Sequence, residues 1–246
     1  MPVTVQKLSI LEKVDSTNNY AMALVQKGEA TNGEAVFAKV QTRGKGRRGK
    51  TWESQSSENI VLTINTQMQW LPLQQQFQLS IAVALGCFDF FFKYIKENIK
   101  IKWPNDIFIN DSKAGGILIE NVVKGNLWQW AVIGIGLNIN QRNFNEVKAI
   151  SLKQITGINY NVIELANELH LAVINRINQL ESGEFGKQLL EYNENLFCRN
   201  RMVRLKKDNI VFETKIERIS SSGELITKDV IERKFAFDEV EWIISE

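Results

Sequence analysis

Glycines alternate with cationic residues in one segment of the 246-residue sequence, Gln41 to Trp52. Its three glycines allow unusual backbone dihedrals and a close approach to a ligand. Five cations occupy the eight positions 43–50, and they repel one another unless an anion is present. We therefore predict a mobile loop that orders around a phosphate or a carboxylate. A solvated basic loop and a nucleic-acid-binding patch are the alternatives, and we do not expect a Walker phosphate-binding loop.

Two further segments place polar side chains beside a predicted turn or helix start. Residues 15–18 read Asp-Ser-Thr-Asn, and their hydroxyls either cap a helix or bind a ureido or carbonyl oxygen. In the segment 102–110, Pro104 ends a strand and is followed by Asn105 and Asp106. An amide beside a carboxylate suits a hard cation or a ribose. A plain turn explains the Asn-Asp pair equally well.

Two other segments combine glycines with a lysine or an asparagine. Lys113 precedes two glycines, where it could face a carboxylate or phosphoryl group as a point charge. A hairpin lysine is the simpler interpretation of this segment alone. Gly134, Gly136 and Asn138 fall on one side of a strand, because the side-chain period is two. Two glycines on one face form a slot for a flat ligand, although the dinucleotide-binding fingerprint is absent.

Alternating strand and helix signals indicate the elements that position these segments. A helix is predicted from the caps at 15–17 to residue 26, a long buried helix at 74–98, and a helical region at 161–196. Strands are predicted at 34–40, 59–65, 100–103, 106–109, 115–123 and 127–140, the last as an edge that could pair in a dimer. From residue 201 onward, five short β segments predict a small closed barrel. We place the domain boundary between residues 197 and 198.

Composition excludes several other classes of protein. The net charge of +2 argues against a chain-wide attraction to nucleic acid. Cys87 and Cys198 have no metal-ligand spacing, which favours a reducing cytoplasm. The single histidine, His170, lies in a helical apolar pattern, so we expect a structural role and no Ser-His or Cys-His catalysis. The N-terminus does not resemble a signal peptide, and the apolar stretch 79–95 is expected to be too short to span a membrane.

Taken in order, the five segments resemble the catalytic domain of biotin protein ligases. The family patterns D-S-T-N, G-R-G-R-R-G-R, K-W-P-N-D, K-x-x-G-I-L-x-E and G-x-G-x-N-x-N match residues 15–18, 44–50, 102–106, 113–120 and 134–140. The resemblance is strong over 15–140 and weaker over the C-terminal segment. It implies an α+β fold, with a mixed β-sheet flanked by helices that is related to class II aminoacyl-tRNA synthetases. This sheet forms a biotin/ATP-binding catalytic domain (1–197), and a small C-terminal β-barrel (198–246) follows it.

The resemblance also implies a two-step reaction. The carboxylate of biotin attacks the α-phosphate of ATP with Mg²⁺ present, and a lysine of a biotin carboxyl carrier protein of acetyl-CoA carboxylase then attacks biotinyl-5′-AMP. The carrier supplies the nucleophile, in keeping with the missing catalytic pairs. Only 14 residues precede Asp15, too few for the winged helix of members that repress transcription. We therefore expect a cytoplasmic monomer or homodimer with neither DNA nor membrane as a partner.

Residue roles follow from the same resemblance. Three residues are expected to be catalytic: Lys113, Arg47 and Lys50. Biotin contacts are expected from Ser16, Thr17, Asn18, Gln41, Gly44, Lys45, Gly46, Arg47, Lys113, Gly134 and Gly136. Nucleotide contacts are expected from Arg48, Lys50, Trp52, Asn105 and Asn138, with Trp52 packing on adenine. Asp106 is the expected magnesium partner.

Two departures and two alternatives accompany this interpretation. Lys45 and Lys50 stand where the family pattern has Arg, and lysine lacks the planar bidentate fork. We therefore expect the loop to hold the adenylate less tightly. A lipoate or octanoate protein ligase would share the fold, but it typically carries a different Gly-rich motif with His-Asp that is absent here. A noncatalytic nucleic-acid-binding protein would use the cationic loop and leave the other four segments unexplained.

Overall fold

A computed structural model describes residues 2–145 and 148–243, which assemble around two β-sheets. The first part of the chain contains β1 (Leu8–Val14), α1 (Thr17–Lys27), β2 (Glu34–Gln41), β3 (Ile60–Gln67), α2 (Gln76–Ile95), β4 (Ile99–Lys102), β5 (Asp106–Ile109), β6 (Ser112–Lys124) and β7 (Leu127–Leu137). Three helices follow: α3 (Leu152–Thr156), α4 (Val162–Glu181) and α5 (Phe185–Glu194). The last strands are β8 (Met202–Lys207), β9 (Ile210–Ile219), β10 (Leu225–Lys228), β11 (Glu232–Phe235) and β12 (Glu241–Ile243).

The larger sheet has the strand order β1-β2-β3-β7-β6-β5-β4. Only the β1–β2 pair is parallel among its described pairings, so the sheet is mixed, as predicted. β7 lies at the centre of the sheet between β3 and β6, and most of its residues are buried. The expectation that residues 127–140 form an edge strand is therefore wrong, and β1 and β4 are the edges. β1 and α3 have no counterpart among the elements predicted from the sequence.

α2 is the core helix of the larger unit. With the turn before it, the helical stretch Leu73–Ile95 has 23 residues, and its most apolar 18-residue window has a mean hydropathy of 1.4. By length and composition alone it could cross a membrane, so the expectation that this stretch is too short is wrong. However, 56% of its most apolar window is buried within the fold, where it packs against α4 and the sheet. An apolar helix covered in this way is typical of a protein interior.

The helical region predicted at 161–196 is two helices, α4 and α5. Asn161 caps α4 by accepting hydrogen bonds from the backbone N–H groups of Ile163 and Glu164, as expected for an Asn at this position. The break between the helices contains Gly183, whose φ of 87° is readily adopted by glycine. His170 is buried in α4 with its Nε2 2.9 Å from the carbonyl oxygen of Gly33, in keeping with a structural histidine.

The C-terminal strands form an antiparallel sheet in the order β11-β10-β9-β8-β12. The pairings of the described residues leave β11 and β12 unjoined, so the predicted small barrel is open at this point. The sheet is fixed to the larger unit by the Trp103 indole, which donates to the carbonyl of Gly223 at 3.0 Å, and by the Trp242 indole, which donates to the carbonyl of Trp103 at 3.2 Å. The boundary between residues 197 and 198 stays a prediction.

Candidate active site

A cavity opens where the start of α1, the glycine-rich loop and the centre of the larger sheet converge. The predicted biotin residues all line it except Gly44: Ser16, Thr17, Asn18, Gln41, Lys45, Gly46, Arg47, Lys113, Gly134 and Gly136. Gly44 does not line the cavity but packs against the backbone of Trp52, so an added Cβ would lie 2.2 Å from the main-chain oxygen of Trp52. Segments that are up to 120 residues apart in the chain are therefore brought to one site.

A buried polar network forms the floor of this cavity. The side-chain oxygen of Gln41 accepts from the backbone N–H of Thr17 at 2.9 Å. The hydroxyl of Thr63 lies 2.8 Å from the hydroxyl of Thr17 and 2.7 Å from Oδ1 of Asn18. The amide nitrogen of Asn18 donates to Glu120 at 2.8 Å. Sequence reasoning missed Thr63 and gave Glu120 no role, although Glu120 ends the 113–120 motif.

The two glycines of β7 make room for neighbouring side chains. A Cβ on Gly134 would lie 2.2 Å from Oδ1 of Asn18, and a Cβ on Gly136 would lie 2.4 Å from the indole of Trp52. A Cβ on Gly116 would also meet the Trp52 ring, at 3.3 Å. Any larger residue at Gly134 or Gly136 would displace these groups, so the slot predicted from the sequence exists and the indole of Trp52 covers part of it.

Lys113 faces Asp106 across the cavity wall. Its Nζ is 3.2 Å from Oδ1 of Asp106 and 5.5 Å from the centroid of the Trp52 ring. Both charged side chains are about one-fifth exposed, at 23% and 20%. Partial burial strengthens an ion pair relative to one in open water. The ammonium of Lys113 is therefore held at a fixed place between a carboxylate and an aromatic face.

The glycine-rich loop is held by carboxylates of the chain itself. Nζ of Lys45 lies 3.4 Å from Glu120, and Nη2 of Arg47 lies 2.5 Å from Asp238 in the turn between β11 and β12. Burial lowers the pKa of Arg47, and the charge of Asp238 opposes this shift. Anionic groups thus stabilise the loop, as its charge predicts.

The spacing of residues 44–51 also satisfies the Walker spelling G-x-x-x-x-G-K-T. In a Walker loop a strand leads into the glycines and a helix follows them. Here Arg47–Gly49 form a single 3-10 turn, and the chain after Thr51 is irregular until β3. Arg48 in that turn has a φ of 53°. The structure therefore excludes a Walker loop, because the helix N-terminus that would bind the phosphates is missing from this described stretch.

A second cavity adjoins the first on the far side of Trp52. It shares Trp52 and Lys113 with the first cavity, and its other lining residues are Thr51, Glu53, Ser54, Gln55, Asn138, Gln141, Asn143, Phe144, Asn145 and Ala149. The amide of Asn138 donates to the carbonyls of Lys113 and Ile150, both at 3.2 Å. Sequence reasoning missed Gln141 and Phe144, which follow the last motif and carry no signal of their own.

The residues predicted to contact the nucleotide lie in three different places. Trp52 and Asn138 line the second cavity, whereas Asn105 lines the first and accepts a hydrogen bond from Arg47 at 3.1 Å. Arg48 and Lys50 border an open groove beside the C-terminal sheet and line neither cavity. The predicted contacts of these two cations with a nucleotide are therefore not prearranged in the described structure.

Comparisons with known proteins agree with this architecture. Residues 10–138, more than half of the chain, match the Biotin/lipoate A/B protein ligase family, and the chain belongs to that family. It is 32% identical over 139 residues to the bifunctional ligase/repressor BirA of Escherichia coli, covering 56% of this chain and 42% of that protein. It is 30% identical over 139 residues to the biotin–[acetyl-CoA-carboxylase] ligase of Mycobacterium tuberculosis, covering 55% of this chain and 50% of that protein. The match thus spans half or less of these relatives.

The fold is shared with solved structures over nearly the whole chain. The biotin protein ligase from Aquifex aeolicus in complex with biotin and ATP superposes with a TM-score of 0.81, covering 98% of this chain and 100% of that one at 21% identity. The biotin protein ligase from Leishmania major in complex with biotinyl-5-AMP gives a TM-score of 0.63 at 23% identity, covering 95% and 100%. The predicted α+β fold class is confirmed.

Proposed function

We propose that the protein is a biotin–[biotin carboxyl carrier protein] ligase, which activates biotin with ATP and attaches it to a carrier lysine. The observation that supports this most is the first cavity, which joins a buried polar floor to a cationic wall. Biotin has a ureido ring at one end and a carboxylate at the other. The floor of Thr17, Asn18 and Gln41 offers both donors and acceptors, and Lys45, Arg47 and Lys113 supply positive charge.

The polar floor favours biotin over lipoate, the main alternative within the family. The ring end of lipoate is a dithiolane, which has no strong donor or acceptor. Seated on this floor, it would form no hydrogen bonds with Thr17, Asn18 or Gln41, each of which would contribute about 0.5–1.5 kcal/mol. A ureido ring can form such hydrogen bonds, because its carbonyl accepts and its two N–H groups donate.

The cationic wall fits the first chemical step. A carboxylate oxygen of biotin attacks the α-phosphorus, and the bond from that phosphorus to the bridging oxygen breaks as pyrophosphate leaves. Negative charge accumulates on the phosphoryl oxygens, where the fixed ammonium of Lys113 and the guanidinium of Arg47 stabilise it. In the second step the neutral amine of the carrier lysine attacks the biotinyl carbonyl, and AMP leaves. Lys50 is proposed to approach the phosphates from the loop.

The second cavity suits the nucleoside. Trp52 separates the two cavities and presents an indole on which adenine stacks, with Asn138 behind it. The indole nitrogen of Trp52 is buried and has no hydrogen-bond partner among the described residues. A ligand that moves this ring or offers it an acceptor therefore removes an unfavourable state. Asn105, which lines the first cavity, accepts a hydrogen bond from Arg47 and is proposed to contact the nucleotide from that side.

Magnesium fits as an ion that arrives with the nucleotide. The described residues contain no group of three acidic, histidine or cysteine side chains that could enclose a metal. Mg²⁺ commonly uses one or two protein carboxylates together with substrate phosphates, and Asp106 lies in the first cavity beside Lys113. Asp106 would hold the ion, which would neutralise phosphate charge when bound.

The remaining parts of the proposal concern the partner and the compartment. The carrier is proposed to be the biotin carboxyl carrier protein of acetyl-CoA carboxylase, and the compartment is proposed to be the cytoplasm. The two cysteines are free, and burial raises the pKa of the Cys87 thiol, so neither requires an oxidising environment. A monomer or a homodimer is proposed, with β1 as an edge strand of the larger sheet in the described chain.

Release of pyrophosphate tests the first step. The protein is incubated with ATP, Mg²⁺ and either biotin, lipoate or octanoate, and pyrophosphate and the acyl adenylate are measured. We expect biotin-dependent release and at least roughly a hundredfold lower rate for Lys113→Ala, as for the removal of one preorganised charge-stabilising group. Equal rates with lipoate would contradict the choice of substrate. An unchanged rate in Lys113→Ala would contradict the role of Lys113.

A further inference from the structure

The turn between β11 and β12 makes a direct contact with the glycine-rich loop. Oδ1 of Asp238 lies 2.5 Å from Nη2 of Arg47 and 2.8 Å from Nε of Arg48. The main-chain oxygen of Asp238 accepts a further hydrogen bond from Arg48. One residue of the C-terminal sheet therefore engages both adjacent arginines of a loop that lies 190 positions earlier in the sequence.

The side chain of Arg48 directs its hydrogen bonds to the C-terminal sheet. Besides its bonds to Asp238, its Nη1 lies 3.2 Å from Glu241 at the start of β12. Its side chain lines neither of the two cavities. A guanidinium has five N–H donors in a fixed fork, and three of its nitrogens are used here on the C-terminal sheet. Arg48 thus anchors the loop to the C-terminal sheet, and its contact with a nucleotide stays a prediction.

Arg47 is held on three sides at the mouth of the first cavity. Its guanidinium carbon lies 3.8 Å from the centroid of the Phe237 ring, its Nη1 donates to Asn105 at 3.1 Å, and its Nη2 pairs with Asp238. Its side chain is 18% exposed. The two hydrogen bonds use two of five donors, so others are available to an anion in the cavity.

We propose that Asp238 is a positioning residue, which fixes the guanidinium of Arg47 for the phosphoryl groups and so makes the C-terminal sheet part of the active site. This proposal rests on the proposed function. Without a nearby carboxylate, the closely spaced loop cations repel one another and Arg47 samples many rotamers. Fixing the side chain before the substrate binds removes that ordering cost from the reaction.

Limited digestion with trypsin tests whether Asp238 holds the loop. Trypsin cleaves after Arg and Lys, and positions 43–50 contain five such residues. We expect Asp238→Asn to be cut in this segment roughly five- to tenfold faster than wild type, because cleavage follows the population of the open loop. Arg48→Gln should also be cut faster than wild type at the four sites that remain, and at those sites the double variant should be cut no faster than either single variant. The melting temperature, measured in parallel, should stay within about 3 °C of wild type.

Glu239→Gln is the matched control. Glu239 is the next residue in the same turn, but it pairs with Lys207 at 3.3 Å and accepts from the backbone of Ala236 at 2.8 Å. The Glu239→Gln substitution therefore removes a neighbouring charge while leaving the contact of Asp238 with Arg47 and Arg48 intact. Cleavage of Asp238→Asn at the wild-type rate, or at the same rate as Glu239→Gln, would overturn the proposal.

Adenylation kinetics then test the consequence at the site. We expect Asp238→Asn to lower kcat/KM for ATP roughly tenfold through the displacement of Arg47, with KM for biotin within about twofold, and Asp238→Glu to recover part of the loss. An unchanged kcat/KM for ATP with a freed loop would overturn the positioning role. If the wild-type protein forms no biotinyl adenylate, the proposed function is wrong, whereas the trypsin comparison still decides whether Asp238 holds the loop.

Discussion

Thr63 shows how a single buried residue supports the polar floor of the first cavity. It is fully buried and pairs across the sheet with Gly134, so its hydroxyl lies under the glycine slot and between Thr17 and Asn18. Alternation along β3 predicts which face Thr63 occupies, but its partners depend on the register of β3 against β7. Sequence reasoning could therefore find Thr17, Asn18 and Gly134 and still miss the residue that joins them.

Replacing Thr63 by valine tests this network. Valine keeps the shape but removes the hydroxyl, which leaves the buried Oδ1 of Asn18 without its donor at a cost of about 1–3 kcal/mol. We expect KM for biotin to rise roughly tenfold while KM for ATP changes little, measured by pyrophosphate release. Thr66→Val is the control. Thr66 is also buried on β3, but its hydroxyl donates a hydrogen bond to the sulfur of Met68 and not to Thr17 or Asn18. An equal rise in KM for biotin in both variants would refute the role of Thr63.

Elements were predictable where local periodicity is strong. β2, β5 and α1 lie within about one residue of their predicted bounds, and Gly28 ends α1 in the left-handed conformation that glycine favours, with a φ of 74°. β1 was missed because most of its residues are exposed and do not alternate. The position of β7 at the centre of the sheet is a property of strand order, which no local pattern encodes.

His170 of α4 contacts Gly33 in the loop before β2, and we expect this buried histidine to make the free energy of unfolding depend on pH. Burial lowers the pKa of His170, and its hydrogen bond to Gly33 opposes the shift only partly. The unfolded chain then binds a proton more readily than the folded chain below about pH 6.5. The stabilisation from neutral His170 is complete above that pH. This stabilisation is lost as the pH falls from the pKa of His170 in the unfolded chain toward its lower pKa in the folded chain. The free energy of unfolding then decreases by up to about 1.4 kcal/mol per pH unit.

Urea unfolding of wild type and His170→Gln at pH 8 and pH 5.5 measures this effect. Glutamine can still donate to the carbonyl of Gly33 but does not titrate, and the carboxylates contribute equally to both proteins. We expect the wild type to lose more unfolding free energy than the variant between the two pH values. The same loss in both proteins would show that His170 does not titrate differently on folding.

At the scale of the whole molecule, two sheets and one loop produce the site. The five sequence segments supply most of the residues that line the first cavity, because each segment carries its own local pattern. Their convergence depends on the order of the larger sheet, and the contact of Asp238 with Arg47 and Arg48 depends on how the C-terminal sheet packs. Neither Asp238 nor Glu241 belongs to a motif, so their contribution became visible only in three dimensions.

Transfer of biotin to a carrier lysine tests the central claim most directly. The protein is incubated with ATP, Mg²⁺, biotin and a biotin carboxyl carrier domain, and the intact mass of the carrier is measured. A carrier whose target lysine is replaced by arginine serves as the control. We predict a gain of one biotinyl group on the wild-type carrier and none on the control. No gain on the wild-type carrier, with ATP and biotin both present, would contradict the proposed ligase activity.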